Sequence, residues 1–140
     1  KLDKEHLTLV EYSKNIEIDV FQSRIKLCDY FLIDDTTSKS EILAGLQRSK
    51  KQVISLNSLN KDETKINCKN IIRNFGESLS KLEEHINRIE DLILIAFREE
   101  KTTIDSLIIQ EYSDFQHTFL EFEKNLHDYI SKRNSNWLSP

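Results

Sequence analysis

The stretch CKNIIRNFGESLSKLEEHINRIEDLILIA, residues 68–96, decides the fold. From Cys68 its apolar positions run Ile72, Phe75, Leu79, Leu82, Ile86, Ile89, Ile93 and Ala96, stepping by fours and threes without a miss. That spacing is the 3.5-residue seam of a long helix packed in a bundle or coiled coil. A second seam follows at Ile104, Ile108, Tyr112, Phe115, Phe119, Phe122, Leu126 and Tyr129, aromatic where the first is aliphatic. Upstream, Ile42, Leu46, Ser49, Val53 and Leu56 step in the same way. So do Leu9, Ser13, Ile16, Val20, Ser23 and Leu27, ending at Tyr30 or Phe31.

The composition agrees with four helices and little else. The 140 residues include two glycines and a single proline, which is the last residue. Average usage would supply roughly ten glycines and about seven prolines, so the turns that sandwiches, barrels and Rossmann-type folds need are missing. A net charge of -4 gives no basic footprint for nucleic acid. No window of about 18 apolar residues occurs, so the stretch itself is expected neither to span a membrane nor to contain a signal peptide. With no methionine in the chain, residue 1 is expected not to be a natural start and the domain to be excised or processed.

The breaks between seams have helix-end chemistry. Ser38 with Glu41 forms a capping box for the second helix. Asn60 or Asp62 is expected to cap the third, and Thr102 the fourth, with Asp105 favouring its N-terminal dipole. The spacing predicts helices over about 2–33, 38–59, 62–98 and 103–136. Short links make neighbours antiparallel, giving a single all-α domain over residues 1–140, an up-down-up-down four-helix bundle. Rise arithmetic brings both chain ends to one end of the rod, within roughly 20 Å.

Residues that could carry chemistry are few. Cys28 and Cys68 fall near opposite ends of this topology, too far apart for a disulfide. Both are expected free and half-buried. His6, His85, His117 and His127 never stand at metal-site spacing, and no metal or cofactor is expected. His85 raises the idea of a phosphotransfer domain. In such domains a Lys-Gly step follows the histidine, whereas Ile86-Asn87-Arg88 follows here, and a solvated polar face is the plainer account. Gly45 and Gly76 sit inside helices, marking either close helix approach or a notch beside a pocket. No Ser-His-Asp arrangement or phosphate loop can be assembled, so the chain is not expected to be an enzyme.

Polar residues on the apolar seams admit two readings. In the plainer one, Ser13, Ser23 and Ser49 bond back to their own helices while Arg24 and Arg73 reach for water. Alternatively, Arg24 and Arg73 from two helices, with Ser23, Ser49 and the Tyr112 ring, cradle a small organic anion through bidentate guanidinium contacts. At the C-terminus, Lys132-Arg133 followed by Trp137 is either a frayed end folded on the bundle or the start of a membrane interface.

From Asn15 to Leu59 the chain carries Asn15, Asp19, Arg24, Asp29-Tyr30-Phe31-Leu32 and Asp34-Asp35. A helix with Glu41-Ile42-Leu43, Lys50-Lys51, Leu56 and Leu59 follows. This resembles the first helical hairpin of the extracytoplasmic four-helix-bundle sensor domains of methyl-accepting chemotaxis receptors and sensor histidine kinases. There an Arg, a Tyr-Leu-Leu-like triplet and a Gly-Asp turn precede the second helix; here the turn is Asp34-Asp35. The resemblance implies a periplasmic or extracellular domain between two flanking transmembrane helices of an inner-membrane protein. It further implies a homodimer through helices 1 and 4, with a ligand-driven helix shift passing the signal inward. A different expectation is an intracellular scaffold or adaptor whose seams continue into a partner helix as a coiled coil.

Overall fold

The structure, a computed structural model, describes residues 4–32, 39–62, 68–99 and 105–138. Four helices account for nearly all of them: α1 (Lys4–Leu32), α2 (Lys39–Lys61), α3 (Lys69–Glu99) and α4 (Asp105–Leu138). No strand occurs among the described residues. Cross-helix contacts fix the direction of each neighbour. Asn60 on α2 reaches Ile72 on α3; His85 on α3 meets Thr118 on α4 while Asn125 meets Asn74; Ser23 on α1 meets Tyr112 on α4. The result is the antiparallel up-down-up-down bundle that the seams predict. The α3–α4, α1–α2 and α2–α3 pairs are closely packed, whereas α1 and α4 touch sparingly.

The core is made of the four seams. Phe75, Leu79, Leu82, Ile86, Ile89, Ile93 and Ala96 on α3 are fully buried, as are Ile42, Leu46, Val53 and Leu56 on α2. The aromatic seam of α4 fills the centre. Phe75 stacks on Phe122 at 5.7 Å between ring centroids and lies 4.4 Å from Tyr129. Phe119 continues the column at 5.4 Å from Phe122. Such ring pairs add to the area that they bury. Towards the α1–α2 connection, Tyr30 packs edge-on against Phe97 at 5.0 Å, and the Lys39 ammonium lies 5.2 Å from the Phe97 ring centre.

Several expectations change. α3 begins at Lys69, with Ile72 N–H bonding to the Cys68 carbonyl, rather than near residue 62. Asn60 therefore caps nothing: it is buried in the last turn of α2, and Asp62 N–H still bonds to the Ser58 carbonyl. Turning inward lets Asn60 Nδ2 donate to the Ile72 carbonyl at 3.0 Å, a cross-helix bond that a capping position would forfeit. Both cysteines are free, but Cys28 is exposed rather than half-buried because Leu27 takes the core position beside it. The expected caps Ser38 and Thr102, the seam residue Ile104 and the side chain of Trp137 lie outside the described residues.

The two helical glycines differ in what surrounds them. A Cβ on Gly45 would meet the Asp19 carbonyl oxygen at 3.5 Å and an Arg48 nitrogen at 3.6 Å, ordinary contacts. Gly45→Ala is therefore expected to raise stability by about 1 kcal/mol through helix propensity. A Cβ on Gly76 would fall 2.9 Å from Asn60 Nδ2, whose bond to Ile72 holds it in place. Gly76→Ala should cost about 1–2 kcal/mol, since displacing a buried amide outweighs the propensity gain. Thermal unfolding of the two variants should move in opposite directions.

Candidate functional site: the groove between α1 and α4

The sparse α1–α4 contact leaves a groove. Its larger cavity, about 210 Å³, is lined by Arg24, Leu27 and Cys28 of α1 and by Ile108, Ile109 and Tyr112 of α4. A smaller one of about 80 Å³ adjoins it and shares Arg24 and Tyr112, adding Glu17 and Phe21 from α1 and Gln116 from α4. Among the described residues the Arg24 guanidinium has no ion-pair or hydrogen-bond partner. A cation without an internal partner, set between apolar walls, suits a small anion with an apolar body.

Ser23 and Tyr112 form the polar floor. Ser23 Oγ donates to the Val20 carbonyl at 2.6 Å. That donation uses its single proton, so the Tyr112 hydroxyl, 2.9 Å away, donates to Ser23 Oγ. Burial pushes the Tyr112 phenol up to about 12, because tyrosinate would be poorly solvated there. The sign follows from the folded value lying above the unfolded value of about 10: the stabilisation is complete below pH 10 and is lost as pH rises through 12. The wild type should lose about 2–3 kcal/mol more than Tyr112→Phe between those limits. Unfolding curves of both proteins from pH 9 to 12 check this, and parallel curves would remove Tyr112 as the cause.

Two carboxylates of like charge face each other across α1 and α4. The Glu123 carboxyl of α4 is held above its usual range by burial and by Glu17 of α1. A row of exposed apolar residues on α1, Ile18, Phe21 and Ile25 at 50%, 60% and 46% exposure, continues to Cys28 with three-four-three spacing. Ile109 and Leu120 are exposed on α4, Leu120 standing one turn beyond Gln116.

Of the five residues picked from the sequence, the fold brings together Ser23, Arg24 and Tyr112. Ser49 is buried in α2 with its hydroxyl donated to the Leu46 carbonyl, and Ser23 also bonds back to its own helix, as in the plainer reading. Arg73 is exposed on the first turns of α3, where it holds Asn70 Oδ1 at 2.9 Å. Its neighbour Asn74 is level with Asn125, about 13 residues along α4 from Tyr112, or roughly 20 Å. The expected pairing of Arg24 with Arg73 is thereby overturned: α3 starts late, which drops Arg73 towards the far end of the bundle. Glu17, Phe21 and Ile109 were not singled out. For Phe21 the signal was the apolar row on the outer face of α1, a second period overlying the core seam.

His85 is not on a solvated face. Its Nδ1 lies 3.1 Å from Glu111 Oε2 and its Nε2 lies 3.1 Å from Thr118 Oγ1. Arg88 approaches the other Glu111 oxygen at 3.6 Å. With both ring nitrogens engaged between α3 and α4, His85 presents no free nitrogen for phosphoryl transfer. Among the described residues no group of three or more His, Cys, Asp or Glu could hold a metal, and no helix is long and apolar enough to cross a membrane.

Known protein families, curated proteins and solved structures offer no match to this chain.

Proposed function

We propose that the chain is the extracytoplasmic ligand-sensing domain of a transmembrane signalling receptor, a chemoreceptor or sensor kinase, acting as a homodimer through α1 and α4. The observation that carries this is the α1–α4 face. It is the loosest seam of the bundle, it holds the unpartnered Arg24 beside two small cavities, and it is flanked by exposed apolar side chains. The receptor context, with flanking transmembrane helices and a periplasmic location, is what the hairpin resemblance over Asn15 to Leu59 implies.

A small organic anion would pair with Arg24 on α1 while its apolar part lay against Ile108, Ile109 and Tyr112 on α4. Drawing these walls together slides or rotates α1 against α4, a loosely packed pair with little to resist it. The shift needs only a ligand that binds one arrangement better than the other. No catalytic step belongs to this scheme.

The test is a thermal-shift screen of small carboxylates with branched or aromatic bodies. A binder present at about 100 times its Kd adds about 2.7 kcal/mol to stability. Arg24→Ala should weaken that binder about 10- to 100-fold, the worth of a charged hydrogen bond. An unchanged shift in the variant would take Arg24 out of the site.

The exposed row Ile18, Phe21, Ile25 and Cys28 also favours a second reading, an adaptor that docks a partner's amphipathic helix. A chain that self-associates through this row and answers to a small anion supports the sensor. A monomer at high concentration with no ligand response, yet binding a helical peptide, supports the adaptor.

A further inference from the structure

The walls of the larger α1–α4 cavity restrict what can enter it, an inference that rests on the ligand-sensing reading above. Its inner wall belongs to the core: Leu27, Ile108 and Tyr112 are buried, and Phe31 packs against the same core. Cys28 and Ile109 are exposed and form the outer rim. A cavity of about 150 Å³ with Leu, Ile and Phe walls accepts a benzene ring. At about 210 Å³ this one holds a ring, or a chain of similar bulk, together with a short linker.

The polar groups of the cavity are unevenly divided. Arg24 stands where its charge acts on the Tyr112 phenol, and among the described residues it has no partner of its own. The Tyr112 hydroxyl donates to Ser23, so its proton is spent. The Cys28 thiol is only a weak donor. Among the described residues no carboxylate lines this cavity; Glu17 lines the smaller neighbour, where its charge acts on Glu123. The cavity can therefore pair one carboxylate and no second charge. An ammonium or another carboxylate carried in with it would lose its water among apolar walls without a counter-charge. An α-ammonium would also stand beside the Arg24 guanidinium and be repelled by it.

We propose that the α1–α4 cavity selects monocarboxylates whose remainder is wholly apolar and rejects α-amino acids and dicarboxylates of the same size. Arg24 takes the carboxylate through two parallel N–H contacts. The ring or chain then runs along α1 towards Phe31, about 10 Å away at the helical rise.

The test is calorimetric titration of the whole chain with two matched pairs, 3-phenylpropanoate against phenylalanine and octanoate against octanedioate. Members of a pair differ by one charged group. In each pair that binds, the monocarboxylate is expected to bind about tenfold or more tighter, the cost of leaving a charged group unpaired. Arg24→Ala should weaken it about tenfold or more. Cys28→Phe, a change at an exposed rim position that the fold should tolerate, fills the cavity and should abolish binding with helical circular dichroism unchanged. If phenylalanine or octanedioate binds as tightly as its partner and still depends on Arg24, the selectivity is overturned and the ligand-sensing reading stands. The selectivity is overturned as well if neither monocarboxylate binds, or if either substitution leaves binding unchanged. A wider carboxylate screen that also stays silent would then remove the ligand-sensing reading with it.

Discussion

Phe75→Ala is expected to lower stability by about 3–5 kcal/mol. Phe75 is fully buried and touches the α4 column twice, at Phe122 and Tyr129. Removing the ring takes away its burial and both ring contacts, and helices built on a seam relax only partly into the void. The melting temperature should fall by roughly 10–20 °C. Phe75→Leu keeps most of the volume and should recover more than half of the loss. A fall of only a few degrees for the alanine variant would mean that α3 and α4 do not share the packed column described here.

Phe21→Asp combined with Ile25→Asp should weaken self-association about 30-fold or more while leaving the monomer folded. Both side chains are exposed in the monomer, so the fold loses little when they become charged. In a dimer packed through α1 and α4 they would be covered, and two uncompensated carboxylates per subunit would be desolvated. Light scattering on the double variant, with its helical circular dichroism as control, reads the two effects separately. Ile54→Asp and Leu94→Asp, equally exposed but on α2 and α3, should leave association unchanged. Loss of association in those controls instead would move the dimer interface to the opposite side of the bundle.

How much of this was legible in the sequence depends on which physical quantity a pattern encodes. Three-four spacing encodes the face of a helix, and the faces were read well. Phe75 through Ala96, Ile108 through Tyr129 and the α2 seam are buried as expected. Spacing does not encode the axial offset between helices. Placing the start of α3 near residue 62 put Arg73 too high on the rod and brought it level with Arg24, when the true start at Lys69 sets them apart. Asn60 misled for a related reason: an amide before a helix reads as a cap, yet here a cross-helix bond to Ile72 draws it inward. The bridge from His85 to Glu111 and Thr118 joins residues far apart in the chain, and no local pattern announces it. Ser23 and Tyr112 were singled out as parts of an anion cradle, a polar residue and a ring on apolar seams, whereas their bond to each other was not expected.

The apolar row on α1 was visible but hidden beneath a stronger signal. Ile18, Phe21, Ile25 and Cys28 interleave with Val20, Ser23 and Leu27, so α1 carries two apolar faces, one in the core and one towards the groove. A helix that serves only a closed monomeric bundle has little use for the second face.

The central claim, that α1 and α4 form the face through which two copies meet, is tested most directly by sedimentation equilibrium of the unmodified chain up to about 200 µM. A mass rising with concentration towards twice the 16.5 kDa of the chain is the predicted result. A mass that stays at 16.5 kDa over the whole range would contradict it.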